Sequence, residues 1–299
     1  MATTDIGFIG LGNMGGRMSK CIVRGGGVVV GFDANPGVIA ESGALPTGSI
    51  REVLERCDVI LLSLPDSRVV EKVVLGPDGI LAHARDGQIV VDLSTAAPES
   101  TRRIHALLGE KGASYLDAGI SGGAAAADVG KLTLMVGGEP EVLEKVRPVF
   151  EHFATNIFYV GESGAGHVAK LLNNFLNAVS LSATAEVMVA GKKAGLDLAV
   201  LLDVLNKSSG VNFATLNRFP KIITGDYLKG GLSNTLMMKD VVLYTELVSQ
   251  LGMSSLNASG PLAAFGLAKA LGYADEISNT VVDAIGDISG GVRLHETKE

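Results

Sequence analysis

Gly10-Leu11-Gly12-Asn13-Met14-Gly15 places glycines at the first, third and sixth positions of a short segment, and Asp33 follows 23 positions after the first of them. In a strand–turn–helix context each glycine has a separate task. The first permits a tight turn, the second lets the backbone approach a pyrophosphate, and the third lets helix and strand pack closely. The helix N-terminus then faces the phosphate charge. Asp33, at the end of the next predicted strand, stands close to the separation of about 20 expected for a carboxylate that accepts the ribose hydroxyls of NAD. It would repel a 2′-phosphate, and Ala34-Asn35-Pro36 supplies no arginine to compensate, so NAD is expected in preference to NADP. Asp33 can also serve as N-cap of a helix starting near Pro36.

The second chemical element is Lys170, a cation in a helical stretch that is otherwise apolar around Asn173 and Asn174. Residues at i and i+4 share a helix face, so the Lys170 ammonium and the Asn174 amide project together. Apolar burial lowers a lysine pKa towards the range useful for proton transfer. A lysine whose head snorkels to solvent is the competing reading. A dinucleotide cradle and a proton-transfer group are together the requirements of hydride-transfer chemistry.

Other candidates sit at predicted strand ends, the edge where open α/β sheets hold ligands. Leu64-Pro65 and Ser94-Thr95 close two strands; Thr95 is placed to meet nicotinamide or its ribose, or to cap the helix before Pro98. Asp117-Ala-Gly-Ile-Ser121-Gly122-Gly123 closes another, where two glycines after a serine leave backbone N–H groups unhindered for a carboxylate or simply make a turn. Lys239, beside Asp240 in a later helix, reads by itself as a solvated charge. His167, one turn before Lys170, reads as a helix-surface histidine. No His/Cys/Asp cluster has metal-ligand spacing, so no metal is expected.

These residues need elements to hold them. Short β-branched runs at 6–9, 28–32, 58–63 and 88–92 alternate with helical patterns at 14–24, 36–42, 50–56 and 98–111. That alternation predicts a Rossmann-type, doubly wound parallel sheet. Runs at 114–117, 132–136 and 157–160 extend it, separated more by turns than by long helices. After residue 161 the period changes: Val168, Leu171, Leu172, Phe175, Leu176 and Val179 form a helical stripe. A helix over 166–193, about 40 Å long, is expected to end at Gly195 and to lead into an all-α domain with helices at 197–205, 234–251, 261–271 and 277–289. The expected domains are 1–162 for dinucleotide binding and 163–299 for substrate and assembly.

Composition agrees with a soluble globular protein of 299 residues, 47% hydrophobic and 19% charged, with 39 glycines suited to many tight turns. A net charge of −7 gives no general attraction to nucleic acid or acidic lipid. No apolar run reaches membrane-spanning length. The first strand is expected to begin by Ile6, so no signal peptide is expected. Cys21 and Cys57, in apolar, helical-looking positions, are expected to be buried free thiols, and the chain is expected in the cytoplasm.

The segments at 7–15, Asp92-Leu-Ser-Thr95, 117–130, Gly164-Ala-Gly-His-Val-Ala-Lys170-Leu-Leu-Asn-Asn174 and Lys239-Asp240 together resemble the β-hydroxyacid dehydrogenases, the family of 3-hydroxyisobutyrate dehydrogenase. They span most of the chain in the family's order. The resemblance implies Lys170 as catalytic lysine and Asn174 as its substrate-orienting neighbour. It further implies Ser121, Gly122 and Gly123 for the substrate carboxylate, Thr95 for nicotinamide, Lys239 at the cofactor cleft, and a homodimer or homotetramer built through the helical domains. 6-Phosphogluconate dehydrogenases are longer and carry histidine where Asn173 stands; imine reductases typically lack the lysine found here at 170. The expected activity is hydride transfer between nicotinamide and a short 3-hydroxy acid or its semialdehyde. The alternatives are a semialdehyde or imine reductase, or a non-catalytic NAD-binding protein. One departure bears on substrate: Val211-Asn212-Phe213 stands where many relatives place a basic or polar residue and then an aromatic, often tryptophan, and this chain has no tryptophan.

Overall fold

The computed structural model describes residues 5–295. The chain divides into two compact units, Met1–Lys170 and Leu171–Glu299. In the first, eight strands form one sheet in the order β3-β2-β1-β4-β5-β6-β7-β8. They are β1 (Ile6–Ile9), β2 (Val29–Phe32), β3 (Leu45–Pro46), β4 (Val59–Leu62), β5 (Ile89–Asp92), β6 (Ser114–Ser121), β7 (Leu132–Gly137) and β8 (Ala154–Gly161). The connecting helices are α1 (Asn13–Arg24), α2 (Gly37–Ser42), α3 (Ile50–Arg56), α4 (Ser67–Leu75), α5 (Ile80–His83), α6 (Pro98–Gly109), α7 (Gly123–Asp128) and α8 (Pro140–Phe150).

The unbroken apolar runs of the central strands follow from burial on both faces. Phe8, Leu61 and Val91 enter one core, with Met18, Leu116 and Phe150. Their neighbours Ile9, Ile60, Leu62 and Val90 enter the other, with Val53, Ile104 and Tyr115. This is the doubly wound sheet that strand–helix alternation predicts.

Its far edge departs from that prediction. β6 pairs antiparallel with β7, and β8 pairs parallel with β7, so the last two strands oppose the other six. Ser121 and Leu132 leave only residues 122–131 for the connection, which holds the six-residue α7. A parallel crossover needs about a dozen residues or more. Reversal is the only closure so short a link allows. The expected turn between β7 and β8 is instead α8, an eleven-residue helix with its first proline at the start, where the missing N–H costs nothing. Cys57 also differs from expectation. It ends α3 in an extended conformation, and both cysteines are free and buried. Burial pushes the Cys57 thiol up to about 11.

α9 (Ala165–Lys193) begins in the first unit and continues through 29 residues into the second. It stops where Gly195 adopts a left-handed φ of 76°, its N–H donating to Lys192 O and that of Leu196 to Gly191 O. The second unit adds α10 (Leu198–Asn206), α11 (Phe213–Asn217), α12 (Phe219–Ile222), α13 (Asn234–Gln250), α14 (Ser259–Ala268) and α15 (Val281–Ile288). One core gathers Ala178, Leu181, Met188, Phe219, Met237 and Phe265. Among its described residues the only β pairing is an isolated Ser233–Ile277 bridge. Segment 211–213 is less open than a loop. Asn212 caps α11 by accepting from Ala214 and Thr215 N–H, and Asn212 N–H donates in return to Thr215 Oγ1.

Candidate active site

The three glycines of the first turn separate into two kinds. Gly10 has φ 89°, and a Cβ there would lie 2.4 Å from Ser63 O; one on Gly15 would lie 1.9 Å from Gly10 O. Both are demanded by the protein's own packing. Gly12 is different. It is exposed, precedes α1 with no side-chain cap, and a Cβ there would meet nothing within 4 Å. Packing does not require glycine at 12, whereas a phosphate approaching the α1 N-terminus would. The residues present therefore fit a dinucleotide. Gly12→Val is expected to fold with a native melting temperature yet lose at least about tenfold in NAD affinity, roughly 1.4 kcal/mol. Gly15→Ala is expected to destabilise the fold itself. Melting curves with and without NAD would separate the two; equal NAD protection of native protein and Gly12→Val refutes the assignment.

Around this turn Leu11 is buried in the core, whereas Asn13 opens α1 and accepts from Arg17 Nε at 3.2 Å. Met14 packs against the same core from the surface side. Asp33 does not cap α2, which starts at Gly37 with no side-chain cap. Its Oδ2 accepts from Leu11 N–H at 2.7 Å and its Oδ1 from Asn35 N–H at 2.8 Å. The carboxylate thus holds the glycine turn to the end of β2, and each oxygen retains a second lone pair for a ribose hydroxyl. At the next strand ends Leu64 N–H, just before Pro65, donates to Ser94 Oγ at 2.9 Å, and Ser94 N–H donates to Asp92 Oδ1. Thr95 follows, half-buried. Neither Ser94 nor Thr95 caps α6. Ala97 holds that position without a side-chain bond, and its N–H donates to Ser67 Oγ.

Lys170 is buried, with 8% of its surface exposed. The first turns of α9 lie against β6 and β7 at positions where a side chain would not fit. A Cβ on Gly166 would come 2.4 Å from Met135 O and 2.5 Å from Asp117 O; one on Gly119 would come 2.5 Å from Lys170 Cβ. Asp117, fully buried on β6, accepts from Gly164 N–H and His167 N–H, each at 2.8 Å. A carboxylate at a helix N-terminus satisfies orphan donors and opposes the helix dipole. Beside it in register, Asp92 accepts from the Tyr115 hydroxyl at 2.9 Å, and burial first, then Asp92, drives the Tyr115 phenol well above its ordinary pKa.

His167 contradicts the surface reading. It is fully buried, its Nδ1 lies 2.7 Å from Thr101 Oγ1, and its Nε2 lies 3.9 Å from Asp92 Oδ2 without a hydrogen bond. The glycines at 164 and 166 let this turn press onto the sheet, which a count of polar residues along the helix does not reveal.

Ser121 is half-buried at the end of β6. Gly122 and Gly123 are exposed with φ of 124° and 68°, conformations that favour glycine.

In the second unit Asn174, one turn along α9 from Lys170, is buried and donates from Nδ2 to Asp240 Oδ2 at 2.5 Å. Lys239 is no isolated surface charge: its Nζ lies 2.9 Å from Asp240 Oδ1. Asp240, noticed in the sequence only as the neighbour of Lys239, thereby fixes both groups. A buried aspartate amid the apolar α13 positions Met237 and Val241 is the signal that could have found it.

Residues 5–161 match the family model described as the NAD binding domain of 6-phosphogluconate dehydrogenase. Residues 164–285 match the one described as NAD-binding of NADP-dependent 3-hydroxyisobutyrate dehydrogenase. The NAD-dependent L-serine dehydrogenase of Pseudomonas aeruginosa is 41% identical over 91% of this chain and 94% of its own. The 3-hydroxyisobutyrate dehydrogenase of the same organism is 38% identical over 87% and 89%. A solved structure of 3-hydroxyisobutyrate dehydrogenase from Mycobacterium tuberculosis with L-serine superposes at a TM-score of 0.84, with 33% identity over 95% of this chain and 99% of that one. With a glycine turn fitted to a dinucleotide and a buried lysine on the helix that follows the sheet, the chain is an NAD-dependent oxidoreductase that belongs to the β-hydroxyacid dehydrogenase family.

Proposed function

We propose that the chain reversibly oxidises a short 3-hydroxy carboxylic acid of the 3-hydroxyisobutyrate or serine type, with Lys170 as general acid and base. The observation that carries this reading is a lysine buried to 8% exposure against β6, one helical turn before Asn174. NAD, when bound at Gly10, Leu11, Gly12, Asn13, Met14, Gly15, Asp33, Leu64, Pro65 and Thr95, supplies the hydride acceptor.

In oxidation the hydroxyl proton leaves as the carbon gives up its hydride, and Lys170, when its amine is neutral, takes that proton. In reduction the Lys170 ammonium returns it to the forming alkoxide and stabilises the developing negative charge. Asn174, held by Asp240, orients the substrate beside the amine. Ser121 Oγ and the unshielded N–H groups of Gly122 and Gly123 receive the carboxylate. Lys239, tied to Asp240, is assigned to cofactor binding as well.

The domains divide functionally at 162/163. Exposed Leu172, Leu176, Val200 and Val204 on the helical unit support a homodimer or homotetramer formed there. Cytoplasmic residence is supported by two free, buried thiols; no helix among the described residues is long and apolar enough to cross a membrane.

The test is a panel of 3-hydroxyisobutyrate, 3-hydroxypropionate, serine, threonate and glycerate with NAD and with NADP. Turnover of at least one acid is expected, faster with NAD because Asp33 would face the 2′-phosphate of NADP. Silence across the panel refutes the substrate class, and preference for NADP refutes the reading of Asp33.

A further inference from the structure

Arg218, between α11 and α12, is half-buried and carries no compensating carboxylate among the described residues. Its Nη1 donates to Asn279 Oδ1 at 2.8 Å and its Nη2 to Asn177 Oδ1 at 3.0 Å. Both partners are neutral. Asn279 is itself buried and set in direction, since its Nδ2 donates to Tyr227 O at 2.8 Å. The Phe213 ring, 5.8 Å from the guanidinium carbon, covers the group without neutralising it. Burial pushes the guanidinium down to about 10, with desolvation the sole cause.

A guanidinium has five N–H donors, and the two amide oxygens leave three of them for another acceptor. Burying a charge is costly unless it is paired. Two neutral amides orient this cation and do not discharge it, an arrangement that suits a removable anion better than a permanent ion pair. Its location along the chain adds the second argument. Asn177 stands three residues after Asn174 and seven after Lys170, so the three lie within about 60° of arc on one face of α9. Asn177 is about 10 Å along the axis from Lys170. Arg218 is therefore fastened to the same helix stripe that carries the proposed proton-transfer lysine.

We propose that Arg218, held by Asn177 and Asn279, is the recognition site for a second carboxylate on the substrate, so that the enzyme prefers hydroxy dicarboxylic acids over hydroxy monocarboxylic acids. The assignment rests on the hydroxy-acid reading above and names the substrate class for it. The planar fork of arginine donates two parallel N–H bonds to a carboxylate, a specificity that a lysine at 218 would not reproduce.

The test compares 3-hydroxyisobutyrate with 2-(hydroxymethyl)succinate, the same skeleton with one methyl hydrogen replaced by a carboxylate, using the full chain and saturating NAD. For the native protein kcat/KM should favour the dicarboxylate by about tenfold or more, the gain lying in KM. Arg218→Met should abolish that preference. Asn177→Asp should abolish it as well, by placing a carboxylate of the chain itself against the guanidinium, and it decides the matter if Arg218→Met does not fold. A native preference for the monocarboxylate overturns the proposal, as does a ratio that survives both substitutions. If the native protein turns over neither acid, the hydroxy-acid reading is judged by the panel above, and the anion site is judged separately by calorimetric titration of succinate into the NAD-bound protein. Succinate binding that Asn177→Asp removes then upholds the site, and absent or unchanged binding refutes it.

Discussion

Lys170→Ala is expected to reduce kcat by a factor on the order of 10² to 10⁴, the usual contribution of one general acid–base group, while NAD binds with unchanged affinity. The separation is physical. The residues proposed for NAD, the 10–15 turn, Asp33, Leu64, Pro65 and Thr95, all lie outside α9, and the Asp33 bond to Leu11 N–H does not involve that helix. The role proposed for the lysine arises only when a proton must move. Alanine is a strong helix former, so α9 should persist, and the loss of activity should not appear as a loss of melting temperature. Lys170→Arg sharpens the test. A guanidinium stays charged at all accessible pH, so it can stabilise an alkoxide but cannot take a proton from an alcohol. Oxidation should fall further than reduction in that variant. Small primary amines added to Lys170→Ala should restore part of the rate. Near-native turnover in the alanine variant would remove Lys170 from the mechanism.

Much of this site was legible in the sequence because its parts are local. The glycine spacing, the acidic residue after β2 and the lysine four before an asparagine each carry their geometry within one element or one turn. The double-sided apolar runs of β4 and β5 declare a sheet covered on both faces. What escaped depends on contacts distant in the chain. The reversal at β7 follows from the brevity of the 122–131 link, a length constraint that strand patterning does not express. Asp33 suits a helix cap by local rules, yet Leu11 N–H lies 22 positions back and claims it. His167 fits a helix surface by period, whereas Thr101 and Asp92 enclose it from α6 and β5. Asp240 and Arg218 are buried or half-buried polar groups whose partners lie 66 and 61 positions away, and composition alone offers no way to pair them.

Asp117→Ala is the substitution expected to cost the most stability. The Asp117 carboxylate is fully buried and accepts from both Gly164 and His167 N–H at the start of α9. Alanine leaves two interior donors without partners and removes the negative charge opposing the helix dipole. Each lost charge-assisted bond is worth about 1.5–3 kcal/mol, so a total near 3 kcal/mol is a conservative expectation. That corresponds to a fall on the order of 10 °C in melting temperature for a unit of this size. Asn is no remedy. Its amide presents two N–H donors to a site built of N–H donors, so Asp117→Asn should be nearly as damaging although it preserves volume. The consequence for chemistry runs through Gly166 and Lys170. Where the first turn of α9 frays, Gly166 is no longer held against Asp117 O and Met135 O, and the lysine one turn on loses its fixed position over Gly119. Turnover measured well below the lowered melting temperature should therefore remain depressed in both variants. If activity there returned to the native value, Asp117 would stabilise the fold without positioning the lysine.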